Sequence, residues 1–381
     1  MNFDDYRALW PYLETGEIWL QHAGVTPLNT RVAAAASEPM AAFSRAPAAT
    51  YPELWKAVTD DARRAVAGLL DCPATRLAFI RNTSTGLALV AEGLSWPAGS
   101  NVVTLSGEFP SNRLPWRYLE RRGVEVRTVA ANAAGHCPTD AIAAALDDQT
   151  RVLAVSWVQF LDGYRQDLAA LADLCARRGT FLVVDAIQGL GALPLDLDGL
   201  DAVVCGGHKW LCGPEGAGFM YLSERLDAAL EPVLVGWHSV GSWTFRAGAE
   251  VRAEAVLPPF KPGPERFEEG TPNAWGNLAL AEAARMLTEI GPARIAERLF
   301  AWQDAFLEAA AAKGYTTSSS LEPGERSGIL ALTHPRHSAA QIVDALAAAR
   351  ITTVQRGAAV RLAPHFYNNE SDAQRTVDAL P

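Results

Sequence analysis

The sequence predicts an α/β fold in which a mostly parallel sheet is covered by helices on both faces. From about residue 76 to residue 222, short runs rich in Val, Leu and Ile alternate with longer helical stretches. The short runs are apolar at consecutive positions, which is typical of parallel strands buried on both faces. The chain has 381 residues, and this length favours two domains over a single core.

Six apolar runs predict the strands of this sheet, and four longer stretches between them predict helices. The strands are Leu77–Ile80, Asn101–Leu105, Val152–Val155, Phe181–Val184, Ala202–Cys205 and Phe219–Leu222. The helices are Leu87–Leu94, Pro115–Arg122, Thr139–Leu146 and Leu168–Arg178.

The C-terminal part of the chain has a different sequence pattern, with long Ala-rich helical stretches and short strands. The helices are Asn277–Ile290, Ala293–Ala312 and Ala339–Ala349, and the strands are Gly328–Leu332 and Ala359–Leu362. We therefore expect a large domain over residues 21–276 and a smaller α/β domain over 277–381, with residues 1–20 packed against the smaller one. Residues 230–272, rich in Gly, Pro and Trp, have no assignment.

Composition and charge restrict the classes of function. Hydrophobic residues make up 49% of the chain, which argues against disorder. A net charge of −10 repels phosphate backbones and argues against a nucleic-acid partner. No apolar stretch approaches the roughly 18 residues of a membrane span, and Met1–Tyr6 lack the start of a secretory signal. Five cysteines without C-x-x-C spacing predict a reduced, cytoplasmic protein.

Two polar groups follow neighbouring apolar strands. Asp185 ends the run Phe181–Val184, and Lys209 follows Ala202–Cys205 and two glycines. Ligands of open α/β sheets bind at the carboxyl ends of strands. A buried carboxylate at position 185 needs a cationic partner, either a protonated ring nitrogen or an Arg in a structural ion pair. A desolvated lysine has a lowered pKa, which favours the neutral amine that forms a Schiff base.

Two further segments carry candidate anion sites. Ser84 and Thr85 lie in the turn Arg81–Gly86 before a helix, where free N–H groups favour a phosphate, although plain N-capping gives the same pattern. Arg361 alternates with apolar residues in a short strand. A guanidinium there binds a carboxylate through two parallel hydrogen bonds, and that carboxylate belongs either to a substrate or to an internal Asp or Glu.

Together these residues resemble the aminotransferase class V family of fold-type-I pyridoxal-5′-phosphate (PLP) enzymes, which includes cysteine desulfurases, kynureninases and isopenicillin N epimerase-like proteins. The specific part of the likeness is Asp185-x-x-Gln188 with His208-Lys209 downstream. The resemblance implies that Lys209 carries PLP as a Schiff base and that Asp185 pairs with the pyridine nitrogen. It also implies that Gln188 contacts the phenolic oxygen of PLP, and that His208, Ser84 and Thr85 hold the phosphate.

The resemblance extends to outer segments of the chain. Phe109 matches the aromatic residue that stacks on PLP, although many relatives have His there and a core role stays open. Thr271 and Trp237 resemble the elements that reach the phosphate from a neighbouring subunit, which implies a homodimer with shared active sites. His22 matches the N-terminal substrate loop, and Arg361 matches the arginine that holds the α-carboxylate of the substrate.

Two departures from the family pattern bear on the reaction. No cysteine follows Gly213, so the loop thiol that forms a persulfide in desulfurases is absent. Gln159 stands where relatives often place Asn beside the cofactor oxygen, and is a candidate for that contact.

The expected activity is aminotransferase-like chemistry on an α-amino acid, with Lys209 and Asp185 as catalytic residues. A β-eliminating lyase, a kynureninase-like enzyme or an epimerase are the alternatives. A catalytically silent PLP-fold binding protein and a nucleotide-binding α/β enzyme are rivals from other classes. His334 and His337 are too few for a metal site, and no metal is expected.

Overall fold

The computed structural model describes residues 2–241 and 258–381. Its main sheet has seven strands in the order β2-β8-β7-β6-β5-β3-β4. Only β8 runs antiparallel to its neighbours, so the predicted α/β fold with a mostly parallel sheet is confirmed. The strands are β2 (Leu77–Ile80), β3 (Asn101–Leu105), β4 (Glu125–Val129), β5 (Thr150–Ser156), β6 (Phe181–Asp185), β7 (Ala202–Gly206) and β8 (Gly218–Leu222).

Helices cover both faces of this sheet. One face packs against α5 (Thr83–Gly93), α6 (Leu114–Tyr118) and α9 (Glu224–Ala229), and the other against α4 (Ala62–Leu70), α7 (Thr139–Ala145), α8 (Leu168–Ala176) and α10 (Ala274–Ile290). Successive residues of β6 show the division, since Leu182 and Val184 belong to one core and Val183 to the other. This two-sided burial explains why the strands read as continuous apolar runs.

A second sheet lies in the C-terminal part of the chain. Its four antiparallel strands have the order β12-β13-β10-β9. They are β9 (Thr316–Thr317), β10 (Leu330–Thr333), β12 (Val354–Arg356) and β13 (Ala359–Leu362), and the helices of this part are α11 (Pro292–Ala311), α12 (Ala339–Ala348) and α13 (Glu370–Ala379).

The N-terminal segment contacts this C-terminal part. Strand β1 (Ile18–Trp19) pairs in parallel with β11 (Ile351–Thr352). Near α1 (Phe3–Arg7), the Arg7 guanidinium binds the Asp372 carboxylate of α13 at 2.7 Å. The domain boundary between residues 276 and 277 stays a prediction; α10, which spans it, packs against α4 and against α2 (Thr30–Arg45).

Some elements were not predicted from the sequence. Strand β4 lies at the edge of the sheet, where Glu125 and Arg127 alternate with apolar residues, so it lacks a continuous apolar run. Helices α2, α3 (Pro47–Lys56) and α4 occupy most of residues 30–70, for which no element was predicted. No helix within the described ranges is long and apolar enough to span a membrane.

The start of α5 matters most for the site. The helix begins at Thr83, four residues before the predicted start, so Ser84 and Thr85 lie in its first turn. Gly86 allows this turn to approach the sheet closely, because a Cβ there would lie 2.5 Å from Cγ1 of Val204 and 2.7 Å from Cδ1 of Ile80. The helix N-terminus therefore lies beside the carboxyl end of β7, where Gly206 N–H donates to the Thr83 hydroxyl at 3.1 Å.

Candidate active site

A cavity of about 290 Å³ lies at the carboxyl ends of β6 and β7. It brings together residues that are far apart in the sequence, from the N-terminal loop to the C-terminal hairpin. They are Ala23, Gly24, Asn82, Thr83, Ser84, Phe109, Ser111, Phe160, Asp185, Ile187, Gln188, His208, Lys209, Arg356 and Arg361. Seven of the twelve site residues predicted from the sequence line it: Ser84, Phe109, Asp185, Gln188, His208, Lys209 and Arg361.

Lys209 extends into this cavity from the turn after β7. Its side chain is 8% exposed, and its Nζ lies 5.4 Å from the centre of the Phe109 ring. No carboxylate among the described residues lies within ion-pairing distance of Nζ. Burial lowers the pKa of the amine to about 8, against a smaller opposing effect of Asp185. A substantial fraction of the amine is therefore neutral near pH 8 and able to attack an aldehyde.

Asp185 ends β6 and is 2% exposed. Its carboxylate accepts a hydrogen bond from the Ile187 N–H at 3.0 Å. The structural ion pair with an Arg, which the sequence left open, is absent from the described part of the chain. Burial raises the pKa of Asp185 to about 6, while Ile187 N–H and Lys209 lower it. A buried carboxylate without a cation favours a positively charged ligand atom beside it.

The first turn of α5 lines the same cavity as the lysine. The Asn82 side chain caps the helix by accepting from the Thr85 N–H at 2.9 Å. Ser84 Oγ lies 2.7 Å from Ser111 Oγ, and both residues line the cavity. Asn82 is therefore an ordinary cap, and the Ser84 hydroxyl lines the cavity at the positive end of the helix; phosphate binding there stays a prediction.

Arg361 enters the cavity from β13 and is 1% exposed. Its Nη1 donates to the Phe160 carbonyl at 2.7 Å and its Nη2 to Gln21 Oε1 at 3.2 Å, while Nε is buried without a partner. No Asp or Glu of the described ranges pairs with it. Burial lowers its pKa to about 10, with a further contribution from Arg356. A buried guanidinium with a free N–H and no counter-charge suits a carboxylate ligand.

Three other predicted residues line the cavity in different ways. Phe109 is 42% exposed and packs edge-on against Phe160, with ring centres 5.2 Å apart. It is therefore not a residue of the hydrophobic core. Gln188 is held between the Trp210 indole N–H at 3.0 Å and the Ala23 carbonyl at 2.9 Å. Burial lowers the pKa of His208, which favours the neutral ring.

The structure does not bring the remaining five predicted residues into this cavity. His22 is fully buried, and its two ring nitrogens contact the Ala363 carbonyl at 2.8 Å and the Tyr367 hydroxyl at 2.7 Å, which leaves neither for a substrate. Gln159 is not among the residues that line the cavity. Its Nε2 donates to Glu108 at 3.3 Å, and its Oε1 is buried without a hydrogen-bond partner. Thr85 and Thr271 line a separate cavity of about 270 Å³.

Trp237 lies on the surface, away from the cavity of Lys209. It is 44% exposed and stacks on Trp55, with ring centres 6.1 Å apart. Residues 242–257, part of the stretch 230–272 that has no assignment from the sequence, lie outside the described residues.

Glu108 is a residue whose role the sequence did not suggest. It is 5% exposed and accepts hydrogen bonds from the Ser156 N–H at 2.7 Å, the Ser156 hydroxyl and the Asn112 amide at 3.0 Å. Burial raises its pKa to about 7, with a smaller contribution from Asp185. A charged residue just after the buried strand β3 was the signal that could have identified it. Arg356, five residues before Arg361, is a second lining residue whose role the sequence did not suggest.

The sequence comparisons agree with this geometry. The sequence pattern of the aminotransferase class-V family matches residues 18–375. The chain belongs to this family. It is 31% identical over 301 residues to a probable cysteine desulfurase of Methanothermobacter thermautotrophicus, covering 77% of this chain and 72% of the relative. It is 28% identical to the uncharacterized aminotransferase YcbU of Bacillus subtilis, covering 99% of this chain and 97% of the relative.

The fold is also that of solved class-V structures. The cysteine desulfurase CsdA of Escherichia coli superposes with a TM-score of 0.87 at 23% identity, covering 100% of this chain and 97% of CsdA. This class-V protein therefore has the fold type I of PLP enzymes, and it is a PLP-dependent enzyme. The cavity fits that cofactor, because an unpaired amine, an unpaired buried carboxylate and the N-terminus of α5 surround one space.

Proposed function

We propose that this class-V enzyme is a carbon–sulfur lyase that removes a β-thio substituent from an α-amino acid. The observation that carries the proposal is that a buried amine, Lys209, and a guanidinium without a carboxylate partner in the described ranges, Arg361, line one cavity. The choice of carbon–sulfur cleavage over transamination is supported by relatives named cysteine desulfurase. The net reaction converts R–S–CH₂–CH(NH₃⁺)–COO⁻ and water into R–SH, pyruvate and ammonium.

When bound, PLP withdraws electrons from the Cα–H bond of the amino acid attached to it. Side chains of the protein would bind the substrate, orient it and move the proton. Arg361 binds the α-carboxylate and orients the Cα–H bond, and Asp185 keeps the ring nitrogen protonated. Lys209 accepts the Cα proton through Nζ, after which the Cβ–S bond breaks with its electron pair on sulfur. Phe109 would stack on the cofactor, and Ser84 in the first turn of α5 would hold its phosphate.

The cysteines near the site do not suit a persulfide mechanism. Cys205 and Cys212 are fully buried, and burial raises the pKa of both thiols, that of Cys212 to about 12. The thiolate is the nucleophilic form, and no cysteine is among the residues that line the cavity. Sulfur therefore leaves as a free thiol or sulfide and not as a persulfide on the enzyme.

Transamination is the second candidate, and the match to YcbU along nearly the whole chain favours it. In that reaction Lys209 would pass the Cα proton to the bound cofactor, the amino group would stay with the cofactor, and the departing 2-oxo acid would keep the β-substituent. An epimerase would return the proton to Cα. A silent binding protein would not need the unpaired Asp185 beside the amine.

One experiment separates these reactions. Purified holoenzyme is incubated with L-cysteine and a panel of S-alkyl cysteines, and pyruvate, ammonium, thiol and amino-group transfer to 2-oxoglutarate are each measured. We expect pyruvate, ammonium and thiol in equal amounts without added 2-oxo acid. Amino transfer that depends on 2-oxoglutarate and leaves the C–S bond intact would contradict the lyase proposal and identify the protein as an aminotransferase. Lys209→Ala should abolish both the Schiff-base absorbance and turnover.

The role of Arg361 has its own test. Arg361→Gln should raise KM for the amino acid by at least about tenfold, because a charge-assisted pair to the α-carboxylate is lost. The dissociation constant of PLP should change far less. Arg350→Gln, which removes a surface guanidinium paired with Glu17, is the matched control. Equal losses of substrate and PLP binding in the Arg361 variant would mean that this arginine is structural.

A further inference from the structure

The cavity of Lys209 carries more positive than negative charge. Lys209, Arg356 and Arg361 line it, and Asp185 is the only carboxylate among its described lining residues. In the proposed function Asp185 faces the ring nitrogen, the amine holds the cofactor and Arg361 binds the α-carboxylate. One cationic side chain, Arg356, then has no anionic partner. A half-buried charge of this kind is stabilised when a ligand brings the opposite charge.

The contacts of Arg356 leave its guanidinium available. Its side chain makes one hydrogen bond, from Nη1 to the carbonyl of the adjacent Gln355 at 3.1 Å. No carboxylate in the described ranges lies within 4 Å of it. Its charge contributes to the lowered pKa of both Arg361 and Lys209.

The β12–β13 hairpin holds the two arginines on one face. Arg361 lies opposite Val354, and Arg356 lies opposite Ala359. Because residues two apart on a strand share a face and cross-strand partners share it too, Arg356 and Arg361 are diagonal neighbours, with backbones roughly 7–8 Å apart. Gly357, with a φ of 58°, forms the tight turn that ends β12 just after Arg356. The spacing suits two carboxylates joined by a short chain.

We propose that Arg356 binds a carboxylate at the end of the substrate's side chain, so that the substrate is a dicarboxylic amino acid with sulfur at Cβ. This inference rests on the proposed function and adds the class of substrate. Arg361 holds the α-carboxylate, because it is the deeper of the two and is fixed by Phe160 and Gln21. Arg356 is half-buried and therefore faces the more distant part of a substrate that reacts at Lys209.

The test compares two compounds that differ only in charge. S-carboxymethyl-L-cysteine carries the second carboxylate, and S-carbamoylmethyl-L-cysteine replaces it with an amide of nearly the same size. The holoenzyme is titrated with each compound through the change in cofactor absorbance, and pyruvate release gives kcat/KM for each. The variants are Arg356→Gln, Arg356→Lys and, as a matched control outside the cavity, Arg336→Gln.

We expect the wild-type enzyme to prefer the acid over the amide by about tenfold or more in both Kd and kcat/KM, as a charge-assisted pair provides. The acid-to-amide ratio should fall close to one in Arg356→Gln. It should be partly retained in Arg356→Lys and unchanged in Arg336→Gln. If Arg356→Gln does not fold, the acid-to-amide ratios of the wild type and of Arg356→Lys decide the question.

Several results would overturn the subsite. Equal binding of acid and amide by the wild type would do so. A loss in Arg356→Gln that is the same for both compounds would assign Arg356 to the α-carboxylate, and a loss of PLP affinity would assign it to the phosphate. Selective binding of the acid without cleavage of either compound would contradict the lyase function but support the carboxylate subsite. No absorbance change with either compound would contradict both the lyase function and the subsite.

Discussion

At the scale of single residues, burial sets the reactivity of this site. Lys209 and Asp185 lie at the ends of adjacent buried strands, and each is too buried for its charged form to be fully favoured. The pKa of the amine falls to about 8 and that of the carboxyl rises to about 6. Between these values the amine is partly neutral while the carboxylate stays charged, which suits covalent capture of an aldehyde beside a protonated ring.

Capture of PLP by the apoprotein should therefore depend on pH. The neutral amine reacts, so we expect the capture rate at saturating PLP to rise with pH and to level off above an apparent pKa of about 8. In Asp185→Asn the midpoint should move to lower pH, because the carboxylate that favours the ammonium form is gone. Asp198→Asn, on the exposed surface, should keep the wild-type midpoint. A midpoint near 10.5 in the wild type would contradict a desolvated Lys209.

At the scale of elements, the start of α5 links the phosphate site to the sheet. Asn82 caps the helix, Thr83 accepts from Gly206 at the end of β7, and Gly86 permits close packing on Val204. The hydroxyl groups of the first turn are thus held at a fixed distance from the turn that carries Lys209. A helix N-terminus held in this way is positioned to bind an anion such as the proposed phosphate.

Asn82→Ala tests this link. Loss of the cap should lower the free energy of unfolding by about 1 kcal/mol and weaken PLP binding, because the first turn of α5 frays. Ser338→Ala removes the cap of α12, which lies outside the cavity, and should cost similar stability with unchanged PLP affinity. Urea unfolding and PLP titration of both variants give the comparison. Equal PLP affinity in the two variants would show that the cap has no part in cofactor binding.

At the scale of the whole molecule, part of the predicted cofactor site lies away from Lys209 in the same chain. Trp237 and Thr271 are exposed and do not line its cavity. Trp237 joins an aromatic surface with Tyr51 and Trp55, and Tyr51 is 52% exposed. We propose that this surface packs against a second copy, so that Thr271 of one subunit reaches the phosphate held by the other.

Mixing two inactive variants tests the shared site. Lys209→Ala and Thr271→Asp each damage both sites of their own homodimer. A mixed dimer has one site with both defects and one site with neither, so random reassembly should restore about one quarter of wild-type activity. Sedimentation should report a dimer throughout. If each subunit has a complete site of its own, mixing will restore nothing.

The pattern of apolar runs was enough to predict the sheet and most of its strands, because two-sided burial leaves a direct mark on the sequence. Strand β4 lacked that mark, since an edge strand carries charged residues such as Glu125 and Arg127. The starts of helices were predicted less precisely than the strands. Helix α5 begins four residues before its predicted start, because its capping residue is Asn82.

The sequence by itself determined the fold class, the family resemblance and the identity of Lys209, Asp185 and Arg361 as the residues of interest, because motif spacing along a strand is a local property. Only the tertiary structure decided which of them have partners. It left Arg361 without a counter-charge among the described residues, placed Arg356 beside it and engaged both ring nitrogens of His22 in buried hydrogen bonds. The contacts of Arg361 and His22 join residues hundreds of positions apart, and no pattern along the chain records them.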